Sequence, residues 1–73
     1  MFVIYSKEGC PSCESAKQLM SEMEVNYLEK NVFDDDEATE FFVEQGFKTV
    51  PQIYHNEHHI GGYEALVDYL GQE

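Results

Sequence analysis

Two cysteines three residues apart, in Cys10-Pro11-Ser12-Cys13, follow the short apolar run Phe2-Val3-Ile4-Tyr5 and open a stretch with helical periodicity. They are the only cysteines in the chain. A strand that runs into this segment sets both thiols at a helix N-terminus. There they can close a disulfide with each other and release it again, because the helix dipole favours an anion on the first sulfur. The pattern points to dithiol redox chemistry on a strand-to-helix junction.

The rest of the chain alternates in the same way. A strand over residues 2–6 leads to a helix over 11–23, whose inner stripe is Cys13, Ala16, Met20 and Met23 at steps of three, four and three. A second strand is expected over 25–30 and a second helix over 35–45, ending at Gly46 as a C-terminal cap. The run Asp34-Asp35-Asp36-Glu37 precedes Ala38, Phe41 and Phe42 at helical spacing, so it reads as a cap that complements the dipole. A calcium loop is disfavoured because the ligand spacing is absent. Gln52-Ile53-Tyr54 turns through residues 55–58 into a fourth strand near His59-Ile60, and Gly61-Gly62 breaks the chain. A last helix over 63–70 should bury Leu66, Val67 and Leu70. The β-α-β start implies a parallel pair joined by a right-handed crossover, and the second half a hairpin plus a helix. The whole, residues 1–73, reads as a single α/β domain with one sheet between helices. Ligands of such sheets bind beyond the carboxyl ends of the strands, where Cys10 lies.

Cys10 is the candidate nucleophile. A free thiol ionises near pH 8.5, so about 3% is thiolate at neutrality. The dipole of a helix N-terminus shifts that by roughly one unit, and larger shifts need amide donors from the first turn or a cation such as Lys7. Pro11 suits the first helical position, where its missing N–H costs nothing. Nucleophilicity falls with acidity, so the main gain is a better leaving group. Cys13, one turn further in, should face the core and resolve mixed disulfides by attacking Cys10. Thr49-Val50-Pro51 opens the third strand, and from the residues alone its proline bond is expected to be trans.

Three segments together carry a family resemblance: Tyr5-Ser6-Lys7-Glu8-Gly9-Cys10-Pro11-Ser12-Cys13, Thr49-Val50-Pro51-Gln52-Ile53 and His59-Ile60-Gly61-Gly62-Tyr63. In order and spacing they resemble a small dithiol glutaredoxin along essentially the whole chain. The resemblance implies a thioredoxin fold: a four-stranded mixed sheet of order 2-1-3-4, with one parallel pair and an antiparallel hairpin, flanked by three helices. It also implies a cis bond before Pro51 and a glutathione groove formed by Lys7, Ser12, Thr49, Val50, Pro51, Gly62, Tyr63 and Glu64. In that groove Val50 offers its backbone to the cysteinyl part of glutathione like an added strand. Lys7 pairs with the glycine carboxylate, and Gly62, Tyr63 and Glu64 meet the γ-glutamyl end at a helix start. Glutathione would be a co-substrate, with no permanently bound cofactor. Partners would be disulfide-containing or glutathionylated proteins, ribonucleotide reductase among them. Two positions depart from the family pattern. Ser12 stands where a Tyr is usual, and Ala65 where many members carry Asp.

Other readings stay open. One keeps the chemistry and changes the reductant, because some glutaredoxin-like redoxins are recycled by thioredoxin reductase. Another draws Cys10, Cys13, His55 and His59 as a metal site. Forty-one residues separate Cys13 from His55, far from zinc-finger spacing, and the histidines are expected to face solvent on a hairpin. An iron–sulfur cluster shared across a dimer is disfavoured by Pro11. Fifteen acidic residues against four lysines give a net charge of −11, which argues against nucleic acid and anionic membranes. The same charge favours solubility or steering toward a basic partner. Met1 runs straight into the first strand, leaving no room for a leader peptide, and no stretch reaches membrane-spanning length. A monomer in a reducing compartment is expected, the cytoplasm or, for a viral source, the host cytoplasm. Phe2, Phe33, Phe41 and Phe42 are expected in the core. Tyr5 should pack under the active loop, with Phe47 and Tyr63 flanking the groove.

Overall fold

A computed structural model describes residues 1–71 of the chain. Strand β1 (Phe2–Ser6) feeds helix α1 (Pro11–Glu22), followed by β2 (Tyr27–Asn31), α2 (Asp36–Glu44), β3 (Gln52–His55), β4 (His58–Gly61) and α3 (Tyr63–Gly71). The sheet order is β2-β1-β3-β4. β1 pairs parallel with β2, from Phe2 opposite Tyr27 to Ser6 opposite Asn31. It pairs antiparallel with β3, Ile4 facing Ile53, and β3 turns back into β4. This is the expected thioredoxin-like topology. Among the described residues no helix is long and apolar enough to cross a membrane.

Alternation along β1 divides the sheet into two faces. Phe2, Ile4 and Ser6 point to the side covered by α1 and α3, and all three are buried. Ile4, Ile53, Met20 and Leu66 meet there with no solvent exposure and form the core with Phe2 and Ala16. Full burial of each such side chain contributes about 1.5–3 kcal/mol. Tyr5 points to the other side, where α2 lies. Its ring stacks on Phe41 with centroids 5.0 Å apart and meets Tyr54 edge-on at 6.0 Å. Burial raises the ionisation of both tyrosine hydroxyls above its ordinary position.

A polar tie fixes the β1-α1-β2 crossover. Ser6 is buried, and its hydroxyl donates to Glu29 Oε2 at 2.7 Å. Lys17 of α1 donates to the same oxygen at 2.9 Å and also pairs with Glu14. The Lys17 and Ser6 donors hold the Glu29 carboxyl below the usual range, and the Glu29 and Glu14 acceptors hold Lys17 above its own.

Helix ends follow local chemistry. Asp35 caps α2, its side chain accepting from the amides of Glu37 and Ala38, so the acidic run does begin a helix. Gly46, at φ +74°, ends it with its N–H on the Val43 carbonyl. α1 stops one residue short of the expected end. Met23 becomes its C-cap and Glu24 turns to φ +58°, so the inner stripe breaks and Met23 is 49% exposed. Val67 is likewise exposed, because Leu66 takes the inward position of α3 and its neighbour lies about 100° round the helix.

The hairpin histidines divide. His58 and His59 are exposed, as expected for the whole group, but His55 is half-buried. Its ring stacks flat on Phe2 at 4.2 Å, and its Nδ1 lies 2.6 Å from the Tyr69 hydroxyl. At the C-terminal end of β3 it sits opposite Phe2, the first core residue of β1, which draws it inward.

Candidate active site: a disulfide between two clefts

β1 ends at Ser6, and a turn carries the chain to Cys10, with Gly9 at φ +71°. A positive φ suits glycine, which has no Cβ to clash. Cys10 takes an extended conformation, φ −105° and ψ 103°, and caps α1. Its sulfur accepts the Cys13 amide at 3.1 Å, in the role that a serine or aspartate oxygen plays in other caps. Pro11 occupies the first helical position, as its geometry favours. Cys10 and Cys13 are joined by a disulfide with Cα atoms 5.2 Å apart. Cys13 is wholly buried and Cys10 is 7% exposed, so the inner and outer sulfurs are ranked as expected.

Facing this junction is the segment before β3. The Val50–Pro51 bond is cis, which corrects the trans expectation from the residues alone and agrees with the resemblance. The Val50 carbonyl oxygen lies 3.8 Å from Cys10 Sγ. A thiol there has an acceptor within reach, whereas the disulfide has no proton to give.

Two clefts meet at this segment, and Cys10 lines the first of them. The first, about 420 Å³, is lined by Lys7, Gly9, Cys10, Pro11, Val32, Phe33, Phe42, Lys48, Thr49 and Val50. The second, about 410 Å³, is lined by Ser12, Thr49, Val50, Pro51, Gln52, Gly62, Tyr63, Glu64 and Ala65. Thr49 and Val50 belong to both walls. All eight positions singled out from the sequence beside the cysteines line these clefts. Lys7 stands in the first, and Ser12, Pro51, Gly62, Tyr63 and Glu64 in the second.

The structure adds Val32, Phe33, Phe42 and Lys48 to the first cleft. Phe33 was expected in the core. It is 74% exposed, because it lies on the turn after β2 and Val32 takes the buried position beside it. Phe42 is half-buried at the cleft, its ring edge-on to Phe47 at 5.7 Å. Phe47 was expected to flank the groove. It lies behind the lining and packs on Phe41, Phe42, Tyr54 and His59. Lys48 was legible in principle, since it directly precedes Thr49-Val50-Pro51. The histidines once drawn as metal partners are engaged elsewhere, His55 with Tyr69 and His59 with Gln52.

A strand that delivers a Cys-x-x-Cys helix cap opposite a cis proline defines the class of thioredoxin-fold redox proteins. Within that class the chain belongs to the glutaredoxin family, whose model, Glutaredoxin, matches residues 2–60. Glutaredoxin 1 of Rickettsia conorii is 41% identical over 69 residues, which cover 90% of this chain and 68% of that protein. The glutaredoxin-like protein NrdH of Lactococcus lactis (subspecies cremoris) is 32% identical over 63 residues, covering 86% of this chain and 88% of that one. The solved buckwheat glutaredoxin–glutathione complex superposes with a TM-score of 0.79 over 94% of this chain and 66% of its own. At 22% identity that last likeness speaks for the fold. The chain is thus a glutaredoxin-family oxidoreductase with a close cysteine pair.

Proposed function

We propose that this chain is a glutathione-dependent thiol–disulfide oxidoreductase that reduces protein disulfides and mixed disulfides with glutathione. The observation that carries the reading is the meeting of two clefts at Thr49 and Val50, directly beside the outer sulfur. A peptide disulfide laid across that junction presents its sulfur to Cys10 and one arm to each cleft.

The exchange runs in two steps. In the reduced protein the Cys10 thiolate attacks the substrate sulfur; a new S–S bond forms at Cys10 while the substrate disulfide breaks and its other sulfur leaves as thiolate. The Cys13 amide, 3.1 Å from Cys10 Sγ, stabilises negative charge on that atom before attack and after release. Cys13, deprotonated, then attacks Cys10, expels the second substrate thiolate and closes the Cys10–Cys13 disulfide. Two electrons have passed to the substrate. Two molecules of glutathione restore the dithiol and leave as glutathione disulfide.

The eight lining residues keep the roles the resemblance implies. The Val50 backbone pairs with the cysteinyl unit, Lys7 with the glycine carboxylate, and the first amides of α3, at Tyr63 and Glu64, with the γ-glutamyl carboxylate. Ser12, Thr49, Pro51 and Gly62 complete the walls. Ala65 brings no carboxylate to the second cleft, so contact with the γ-glutamyl amine falls to Glu64. Protein substrates include ribonucleotide reductase, and the site of action is the cytoplasm.

In a glutathione-coupled assay on hydroxyethyl disulfide the reduced protein should turn over. Cys10→Ser should fall to background, while Cys13→Ser should keep activity on glutathione mixed disulfides, which need one thiol. Turnover by folded Cys10→Ser would overturn the assignment of the nucleophile.

A second reading has its own support. The Lactococcus lactis relative, NrdH by name, is matched over 88% of its length, and Ser12 and Ala65 both depart from the dithiol glutaredoxin pattern. On this reading thioredoxin reductase replaces glutathione as the reductant. Parallel recycling assays with glutathione and with thioredoxin reductase decide between the two.

A further inference from the structure

Bound as proposed above, glutathione would use only part of the first cleft. Its residue after cysteine is glycine, which has no side chain. Yet the cleft beside Cys10 carries a wall of Val32, Phe33, Phe42 and Pro11. Phe33 is 74% exposed there, a large apolar surface that no described residue covers. Single exposed apolar residues are ordinary. This one lines the same cleft as a second aromatic residue, Phe42, the buried Val32 and the reacting Cys10.

The same cleft concentrates the protein's positive charge. The chain has four lysines and a net charge of −11, and two of the four, Lys7 and Lys48, line this cleft. Among the described residues the ion pairs belong to Lys17, and neither Lys7 nor Lys48 has an acidic partner within 4.0 Å. An acidic group is therefore repelled over most of the surface and favoured here, within the Debye length of about 8 Å that physiological salt allows.

We infer that the cleft on the Lys7 side of Cys10 selects peptide disulfides whose reacting cysteine is followed by an apolar residue and then by a carboxylate. The inference rests on the redox reading of Cys10 and adds a substrate class to it. The carboxylate has two possible sources, the end of a chain or an acidic side chain. The apolar residue separates such a peptide from glutathione, which would fill the lysine side and leave the aromatic wall bare.

The test uses the full chain, reduced beforehand and freed of reductant, in single turnover. The probes are symmetrical disulfides of short acetylated peptides, Ser-Cys-X. X is Gly or Phe, and the C-terminus is the free acid, the amide, or an added Glu amide. Cys10 attacks one peptide sulfur and releases the other peptide as thiolate, then Cys13 releases the second. The dithiol supplies both electrons, so no recycling partner enters the measurement. Rate constants come from acid-quenched samples resolved by mass spectrometry.

The Phe acid should react about tenfold faster than the Gly acid, equivalent to about 1.4 kcal/mol. Free acids or Glu amides should react about fivefold faster than plain amides at low salt, and this advantage should shrink at about 0.5 M salt. In Phe33→Ser the ratio of Phe to Gly rates should drop to about twofold, and in Lys48→Gln the ratio of acid to amide should drop likewise. Whichever carboxylate arm is faster identifies its source, and either supports the inference. Equal rates for Phe and Gly, or for acids and amides, overturn it. Hydroxyethyl disulfide carries neither feature. If the reduced, folded protein leaves that small disulfide untouched as well, the redox reading itself has failed.

Discussion

The two clefts beside Cys10 are built from different materials. The wall on the Ser12 side is rich in small residues, Ser12, Thr49, Gly62 and Ala65, whose short side chains leave backbone for a ligand to meet, beside Pro51 and the first turn of α3. The wall on the Lys7 side is mostly side chain, with two lysines and two phenylalanines brought from four separate segments. Backbone walls hold whatever carries a peptide group, and depend little on sequence beyond permitting the conformation. Side-chain walls distinguish one peptide from another. On the proposed function, generic binding and selectivity fall on opposite sides of one sulfur.

The largest effect should come from forcing a side chain in behind the Ser12-side wall, at Gly61, which directly precedes the lining residue Gly62. Gly61 has φ +124°, and a Cβ there would sit 3.1 Å from the Ala65 Cβ. Gly61→Ala should cost about 1–3 kcal/mol of stability, read from the urea midpoint. An unchanged midpoint would mean that the backbone supporting this wall tolerates a side chain after all, and the contrast would break.

Next comes the support of the side-chain wall. Asp35 caps the helix that carries Phe42, and Asp35→Ala should cost about 1 kcal/mol. Asn at this position, which keeps a capping oxygen, should restore most of it. Failure of Asn to do so would assign the effect to charge rather than to the cap.

The smallest effect concerns the tie below Lys7. The Glu29 carboxyl is held below its ordinary value of 4.5 by Lys17 and then Ser6. A carboxyl lowered in the folded state contributes stability above its unfolded value and loses it as pH falls through the folded one. Glu29→Gln should therefore cost under about 1 kcal/mol at pH 7, since the Glu29 side chain is 41% exposed. The gap between the two proteins should close below about pH 4.5. A gap that persists unchanged at pH 3 would show that the carboxylate's charge is not its source.

What the sequence revealed follows the same division. The strand order, the helix cap at Cys10 and the backbone wall were all legible, because Cys10 to Cys13, Thr49 to Pro51 and Gly61 to Tyr63 are contiguous motifs. The side-chain wall was mostly hidden. Phe33 and Phe42 are nine positions apart, on a turn and a helix, and each taken alone reads as core. Their shared cleft exists only once β2 and α2 are placed beside Cys10. The misreadings of Met23 and Val67 have a similar origin. Periodicity gives a stripe but not where a helix ends, and it cannot separate adjacent apolar residues such as Leu66 and Val67 when both fit the pattern. His55 looked like a hairpin surface group until Phe2 and Tyr69 were brought against it.

The outer sulfur serves two masters at once, since the atom proposed to trade covalent partners also finishes the first turn of α1. Each trade therefore alters how that turn is closed, and the Cys13 amide acts as a built-in reporter of the atom's state. Its proton chemical shift and exchange rate should differ among dithiol, mixed disulfide and closed disulfide, so the catalytic cycle could be followed from the backbone without a label on either substrate.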